Sequence, residues 1–409
     1  MHDTTHFGLI VLLAAIAFAA ALLASKLSAR TGVPAAAVFL VVAALLSDLF
    51  PALALSTTTV ERIATLALIV ILFDGGASIG VRRFRAAAAP IAALGTLGTF
   101  ATAGLATLFA HWAIGLPWLL SGLLGAAVAP TDPAVMFSVL GEHEVGGRTA
   151  TILEGESGAN DPVGIALMIG LLELADHPDS SFWIVVRTFV EQMTVGLAFG
   201  VAGGLAASRL MRGVSLPSAG LYMVRTLAGA GIVYGLATIA HGSGFLAVFV
   251  AGLIVGDTRA PFKREIEIVQ EALSSVAEVV VFVALGLTIA ITSLPASRWA
   301  EGLATAAFVA VIARPLAAGP LLLPARLTHG ERLFVLWGGL KGAVPILLAS
   351  FAVAEHVHDA QRLYEVVFVV VLASVVVQGA SIPYAARKLG IEMRRAPATP
   401  PAARSAQAP

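Results

Sequence analysis

The feature that most constrains this chain is a series of apolar runs, each about 17 to 25 residues long, the length that a helix needs to cross a bilayer. Hydrophobic residues make up 58% of the chain and charged residues only 12%, whereas an ordinary soluble protein carries about 25% charged residues. The runs lack the alternation of apolar and polar residues that a lipid-facing barrel strand shows. The sequence therefore predicts an all-α integral membrane protein.

The runs predict about thirteen membrane-spanning helices. They lie roughly at residues 7–25, 34–50, 61–80, 87–110, 118–140, 149–174, 184–209, 221–241, 244–256, 268–292, 299–323, 332–354 and 364–386. The first run follows no basic segment, so we expect a retained span rather than a signal peptide. Residues 391–409 are rich in Ala and Pro, and we expect them to form a disordered cytoplasmic tail after a membrane domain over residues 1–390.

Lys and Arg are concentrated in alternate loops, for example at Arg82, Arg83 and Arg85, and the opposite loops hold few of them. The positive-inside rule then places the C-terminus in the cytoplasm and, with an odd number of spans, the N-terminus outside. The predicted location is the cell (inner) membrane.

The two halves of the chain suggest an inverted repeat. Residues 8–174 and 221–387 are equal in length, each holds six predicted spans, and the seventh span links them with opposite orientation. The fifth span is interrupted at Thr131-Asp132-Pro133, and the corresponding span of the second half is interrupted at residues 338–345, Gly-Gly-Leu-Lys-Gly-Ala-Val-Pro. Paired Gly/Pro interruptions of this kind point to a transport site.

Polar residues around Asp161 stand in an apolar background. An intramembrane carboxylate costs about 2.5 to 3.5 kcal/mol, so such a residue is a candidate for function, although a lone Asp before Pro is more often a helix cap or turn. Asp132 and Asp161 both precede a proline, and we expect a helix break at each. A single carboxylate can bind a cation when it is ionised and can cross the membrane interior without charge when it is protonated. Competition of cation and proton for this one group is the minimal requirement for exchange.

Backbone freed at helix breaks must line a cavity or be buried in protein. We expect a cavity into which the fifth and sixth predicted spans project oxygen donors, and such donors suit alkali cations. The candidate ion and proton site consists of Asp161, Asp132, Asn160, Thr131 and Ser157, with Asp161 and Asp132 as the carboxylate ligands of the cation.

Other buried charges need partners. Glu156 and Lys341 are predicted to form a structural ion pair, and Arg314 is assigned either to Asp132 or to a helix C-terminus. Asp74 and Glu278 line the ion path in one interpretation and are structural in the other.

The chain has no Cys, which excludes disulfides and thiolate metal sites, and neither a cofactor nor a nucleic-acid partner is predicted.

Three motifs together resemble the monovalent cation:proton antiporters of the sodium/proton exchanger branch, and among them the short bacterial sodium/proton or potassium/proton antiporters. They are Gly155-Glu156-Ser157 with Asn160-Asp161, Thr131-Asp132-Pro133, and the glycine-rich segment 338–345. The resemblance spans nearly all of residues 7–390. It implies that Asp161 is the shared ion and proton carboxylate and that Asp132, Thr131 and Ser157 are further ligands. It also implies that Glu156 and Lys341 match the family's structural pair, with Lys in place of the usual Arg.

The same resemblance implies an architecture and a stoichiometry. It implies a homodimer in which a core bundle, about 87–174 and 299–387, moves like an elevator against a scaffold and dimerisation part, about 7–82 and 184–292. Asn160 stands where the electrogenic branch has a second Asp, which implies electroneutral exchange of one cation for one proton.

Two other functions remain open at this stage. Two intramembrane carboxylates that share a proton are the chemistry of an aspartyl protease, but the Gly-x-Gly-Asp signature of those enzymes is absent. A sodium-coupled symporter of an organic solute, of the bile-acid type, would use a similar inverted-repeat plan.

Overall fold

The computed structural model describes residues 19, 33–140, 143–177 and 180–395. The predicted first span, 7–25, lies outside the described residues except for position 19, and so does the tail from residue 396 onward.

The first half of the described chain is helical, with short connections. Its helices are α1 (Ala35–Leu49), α2 (Thr57–Ala86), α3 (Ala88–Ile114), α4 (Trp118–Val128), α5 (Ala134–Leu140), α6 (Gly147–Asp176) and α7 (Trp183–Gly213).

The second half of the described chain is also helical, with short connections. Its helices are α8 (Ala219–Ile239), α9 (Gly244–Gly256), α10 (Lys263–Gly286), α11 (Ala296–Leu322), α12 (His329–Trp337), α13 (Ala343–Ala354) and α14 (Ala360–Lys388). Two single 3₁₀ turns, Pro51–Leu53 and Ile291–Ser293, stand in the connections.

Eight helices in the described part of the chain are long and apolar enough to cross a membrane, and four shorter apolar helices accompany them. The predicted all-helical membrane fold is therefore confirmed. Most helices lie within a few residues of the second to thirteenth predicted runs. Helix α2 ends six residues later than predicted. Helix α10 begins five residues and ends six residues earlier than predicted, because the apolar run continues beyond Gly286 into the connection.

Two interruptions divide long segments. Residues 129–133 separate α4 from α5, and residues 338–342 separate α12 from α13, as the Gly and Pro positions predict. The break expected at Asp161 does not occur, because α6 runs through Pro162 as one helix of 30 residues. Neighbouring helices hold it together there, and a side chain at Gly158 or Gly164 would meet Phe249 or Pro130.

One small sheet departs from the all-α prediction. Strand β1 (His143–Val145) pairs antiparallel with strand β2 (Met393–Arg395), and Gly146 N donates to Glu392 O at 3.3 Å. Residues 391–395 therefore do not belong to a disordered tail, because their backbone bonds the loop that leads into α6.

Two helix pairs form matching contacts. Gly76 of α2 lies against the α9 backbone at Phe249, and Gly286 of α10 lies against the α1 backbone at Leu40, so a Cβ at either glycine would collide with the neighbouring helix. The acids that follow in α1 and after α9 also match. Asp48 accepts from Thr292 N at 2.8 Å, and Asp257 accepts from Arg82 N at 2.9 Å.

Candidate functional site

The two helix breaks cross each other. Asp132 N donates to Leu340 O at 2.8 Å, which joins the two backbones where each has left its helix. Lys341 Nζ donates to Ala129 O and Pro130 O, both at 2.9 Å, and its side chain is only 3% exposed. These carbonyls belong to the negative C-terminal end of α4, so Lys341 supplies both the missing hydrogen bonds and a compensating charge.

Arg314 serves the C-terminal end of α12 in the same way. Its Nε donates to Leu336 O at 3.0 Å, and its Nη2 donates to Val335 O at 3.1 Å. The guanidinium also binds Glu156 through two bonds, Nη1 to Oε1 at 2.7 Å and Nη2 to Oε2 at 3.0 Å. A bidentate pair of this geometry is among the strongest side-chain contacts.

The predicted ion pair of Glu156 with Lys341 is therefore wrong in this structure. Arg314 takes the place of Lys341, because a guanidinium reaches both carboxylate oxygens and the end of α12 at once. Of the two assignments of Arg314, the helix C-terminus is confirmed and Asp132 is not its partner.

Asp132 lies at the N-terminal ends of the other two half-helices. Its Oδ1 accepts from Ala134 N at 2.9 Å and so caps α5. Its carboxylate also lies against Gly342, the residue before α13, so closely that a Cβ at Gly342 would overlap it. A negative charge at two positive helix ends is the favourable arrangement.

Asp161 is different, because no helix end needs it. The side chain is 5% exposed, and Oδ1 is buried without a hydrogen-bond partner among the described residues. Asp132 and Lys341 are among the charged groups close to it. A buried carboxylate oxygen without a donor is costly, and the structure retains it beside a cavity.

The cavity has a volume of about 240 Å³, which is room for a cation with several waters. Helices α5, α6 and α13 contribute one wall, and α2, α9 and α10 contribute the other. Carboxylates and hydroxyls from both walls line it: Asp74, Ser78, Asp132, Glu154, Ser157, Asp161, Ser274 and Glu278. No Lys, Arg or His is among the described residues that line it, so the charged side chains among these residues are all acidic.

This result places the predicted site residues in two groups. Asp161, Asp132 and Ser157 face the cavity, and so do Asp74 and Glu278. Asn160 and Thr131 do not line it and bond each other instead. Asn160 Nδ2 donates to Thr131 Oγ1 at 2.8 Å, and Asn160 Oδ1 accepts from Thr131 N at 3.3 Å. In this structure the amide holds the first break in place.

A polar network on α14 escaped the sequence analysis. Ser374 Oγ accepts from Lys341 N at 2.9 Å and donates to Gln378 Oε1 at 2.8 Å, and Gln378 Nε2 donates to Trp337 O at 3.4 Å. The helix forms a π turn over Ser374–Gly379, a feature that is frequent at functional sites. Two buried polar residues one turn apart in an apolar run were the available signal.

Two glycines of the site differ in the space around them. At Gly342 an added Cβ would overlap Asp132, whereas at Gly75, which lines the cavity, it would meet nothing within 4 Å. The wall formed by the crossing is tightly packed, and the wall formed by α2 has free space.

A family model described as sodium/hydrogen exchanger, transmembrane, matches residues 13–388. The chain belongs to the sodium/hydrogen exchanger family. This confirms the resemblance drawn from the three motifs. It assigns the protein to the transporters that exchange a monovalent cation for a proton, and it decides against a protease and against a sodium-coupled symporter.

Relatives of this exchanger support the assignment. The chain is 36% identical over 390 residues to the K(+)/H(+) antiporter NhaP of Alkalimonas amylolytica, which covers 94% of this chain and 68% of the relative. It is 28% identical over 357 residues to the Na(+)/H(+) antiporter NhaP of Pseudomonas aeruginosa, covering 80% and 81% of the two chains.

The fold of the exchanger is also found among solved structures. The sodium proton antiporter MjNhaP1 from Methanocaldococcus jannaschii at pH 8 superposes with a TM-score of 0.75 at 21% identity. The match covers 92% of this chain and 99% of that chain, so the two proteins share their fold along nearly the whole described length.

Proposed function

We propose that this exchanger moves one monovalent alkali cation, Na+ or K+, against one proton through competition for Asp161. The observation that carries the proposal is the buried Oδ1 of Asp161, which has no partner among the described residues and lies at a cavity to which they contribute no basic side chain. Such an oxygen needs a cation or a proton. One carboxylate that takes either of them, but not both, couples their movements.

The ligands follow from the walls of the cavity. Asp161 and Asp132 supply carboxylate oxygens, Ser157 supplies a hydroxyl, and water completes the shell of the cation. Thr131 and Asn160 position the first break and become ligands only if their mutual bonds open. Asn160 is neutral, which supports electroneutral exchange, because the second acid of an electrogenic site is missing. The transported ions are substrates, and we propose no resident cofactor.

The architecture that we propose has thirteen spans, two inverted repeats and a homodimer. Support for the repeats comes from the matching contacts of α1 with α10 and of α9 with α2, and from the two crossing breaks. The core bundle would carry Asp161 across the membrane in an elevator-like motion against the scaffold helices.

In the proposed orientation the N-terminus is outside the inner membrane and the C-terminus is cytoplasmic. The cavity then opens toward the cytoplasm, because exposed Ser78 lines it and lies just before Arg82, Arg83 and Arg85 at the basic end of α2.

The relatives leave the choice of cation to experiment, since their names include both K(+)/H(+) and Na(+)/H(+) antiporters. Purified protein in proteoliposomes should dissipate an imposed pH gradient when Na+ or K+ is added, and the series Li+, Na+, K+ and Rb+ gives the selectivity. For electroneutral exchange, clamping the membrane potential should not change the rate. If no alkali cation drives proton movement in liposomes that contain correctly folded protein, the proposal is wrong.

A further inference from the structure

Glu278 projects from α10 into the cavity, on the wall opposite the crossing. Ser274, one turn earlier on the same helix, and Phe282, one turn later, also line the cavity. The helix lies outside the core bundle and packs against α1 and α2. Glu278 is thus a carboxylate that the proposed scaffold presents to the ion pathway.

In the part of the chain that the structure describes, no basic side chain lines the cavity around Glu278. Among the described residues its carboxylate forms neither an ion pair nor a hydrogen bond, and Asp132 lines the same cavity from the opposite wall. Two carboxylates that line one small cavity repel each other unless a proton or a cation compensates their charge. Lys341 does not compensate them here, because it donates to the carbonyls of α4.

Asp161 supplies the independent observation. Its unpartnered Oδ1 belongs to the same cavity and is nine-tenths buried, so the cavity presents an oxygen that only a ligand can satisfy. Asp132, Asp161 and Glu278 all line this cavity, with Glu278 on the wall opposite the other two. A cation that moves toward Asp161 therefore encounters the pair Asp132 and Glu278 on its way.

We propose that Glu278 and Asp132 form a second site for the transported alkali cation, through which the cation passes between the cytoplasm and Asp161. The inference rests on the proposed exchange function. One ligand belongs to the core and the other to the scaffold, so the site exists only while the core occupies the position seen here. Glu278 then raises the affinity for cytoplasmic cation and has no part in capture from the outside.

Glu278→Gln tests this by removing the charge with little change in shape. In everted membrane vesicles, which expose the cytoplasmic face, the KM for Na+ or K+ should rise by about tenfold, within the range of typical coupling between two sites. In right-side-out vesicles the KM should stay at the wild-type value, and the maximal rate should change little in both.

The matched control is Glu265→Gln, the same chemical change on the same helix at an exposed position outside the cavity, and it should leave both KM values unchanged. Glu278→Asp retains the charge with a shorter reach and should recover part of the cytoplasmic affinity. A structural role would instead raise both KM values together and lower the unfolding temperature of the solubilised protein.

The outcomes separate this inference from the proposed function. If wild-type vesicles exchange cation for proton but Glu278→Gln matches the wild type on both faces, or is impaired equally on both, the second site is refuted and the exchange function stands. If wild-type vesicles show no exchange, the proposed function itself fails.

Discussion

The two helix breaks have similar backbones and opposite charges. The first break, residues 129–133, carries Asp132, which caps α5 and faces the cavity. The second, residues 338–342, carries Lys341, which points away from the cavity and bonds the carbonyls of the first break. Each charge compensates helix ends that the crossing creates.

The difference shows which charges are already committed. Lys341 and Arg314 serve the C-terminal ends of α4 and α12, Glu156 neutralises Arg314, and Asp132 serves two N-terminal ends. Asp161, by contrast, accepts a hydrogen bond from no helix end among the described residues. The crossing therefore provides a structural frame, and Asp161 is the residue that we propose as the exchangeable charge.

The largest expected effect separates these two roles. Asp161→Asn should abolish exchange, because it removes the charge for which cation and proton compete. It should leave the fold intact, because it removes no bond that supports the breaks. Proton flux in proteoliposomes measures the loss, and gel filtration with thermal unfolding checks the fold. Asp176→Asn, at the exposed end of the same helix, is the control. Near-normal exchange by Asp161→Asn would remove Asp161 from its proposed role.

Next in size is the loss of the carboxylate that neutralises Arg314. Glu156→Ala should destabilise the protein by about 3–5 kcal/mol, because it leaves a guanidinium buried without its counter-charge. Thermal unfolding in detergent measures the effect. The double variant Glu156→Gln with Arg314→Met removes both charges and should unfold at a higher temperature than Glu156→Ala. A well-folded but inactive Glu156→Ala would instead indicate a direct role in ion binding.

The second break itself is tested at Lys341. Lys341→Met leaves the carbonyls of Ala129 and Pro130 without donors. It should cost about 2–4 kcal/mol, which corresponds to the lower half of the roughly 1–3 kcal/mol that each unsatisfied buried group costs. Exchange should slow because the first break, which holds Asp132, loses its support. Lys341→Arg should retain most of the stability, and Lys388→Met at the end of α14 should have no effect. If Lys341→Met unfolds like the wild type, the two breaks do not depend on each other.

The smallest effect is expected at Ser374, which supports the second break from α14. Ser374→Ala removes the acceptor for Lys341 N and a donor to Gln378, and should cost about 1–3 kcal/mol with exchange largely retained. Thermal unfolding measures it, and Ser297→Ala, at an exposed position near the start of α11, is the control. A larger loss of exchange in Ser374→Ala than in Lys341→Met would reverse the order of importance proposed here.

The sequence predicted the membrane fold, both breaks and the position of Asp161 because each has a local signature. Apolar runs mark spans, Gly and Pro mark interruptions, and an acid in an apolar run is costly anywhere. The partner of Glu156 was not predictable in this way. Two buried bases, Lys341 and Arg314, were available, and the choice depends on which helix end each one reaches in three dimensions.

The prediction that Asn160 lines the cavity together with Asp161 is not met in this structure, for a related reason. A polar residue beside Asp161 in sequence was expected to share its cavity, but successive residues of a helix point in different directions. In the continuous α6, Asn160 turns toward Thr131 while Asp161 faces the cavity. Had Pro162 broken the helix as expected, the two side chains could have converged.

The unequal space at Gly342 and Gly75 has a consequence for changing the ion preference of this exchanger. A methyl group at position 342 would displace the Asp132 carboxylate. A substitution there therefore disrupts the packing of the two breaks before it changes the shape of the cavity. Position 75 accepts a larger residue without collision, so Ala or Ser introduced there narrows the chamber from the scaffold side alone. Discrimination among alkali ions of different radius should therefore be adjustable from α2, independently of the crossing that holds the machinery together.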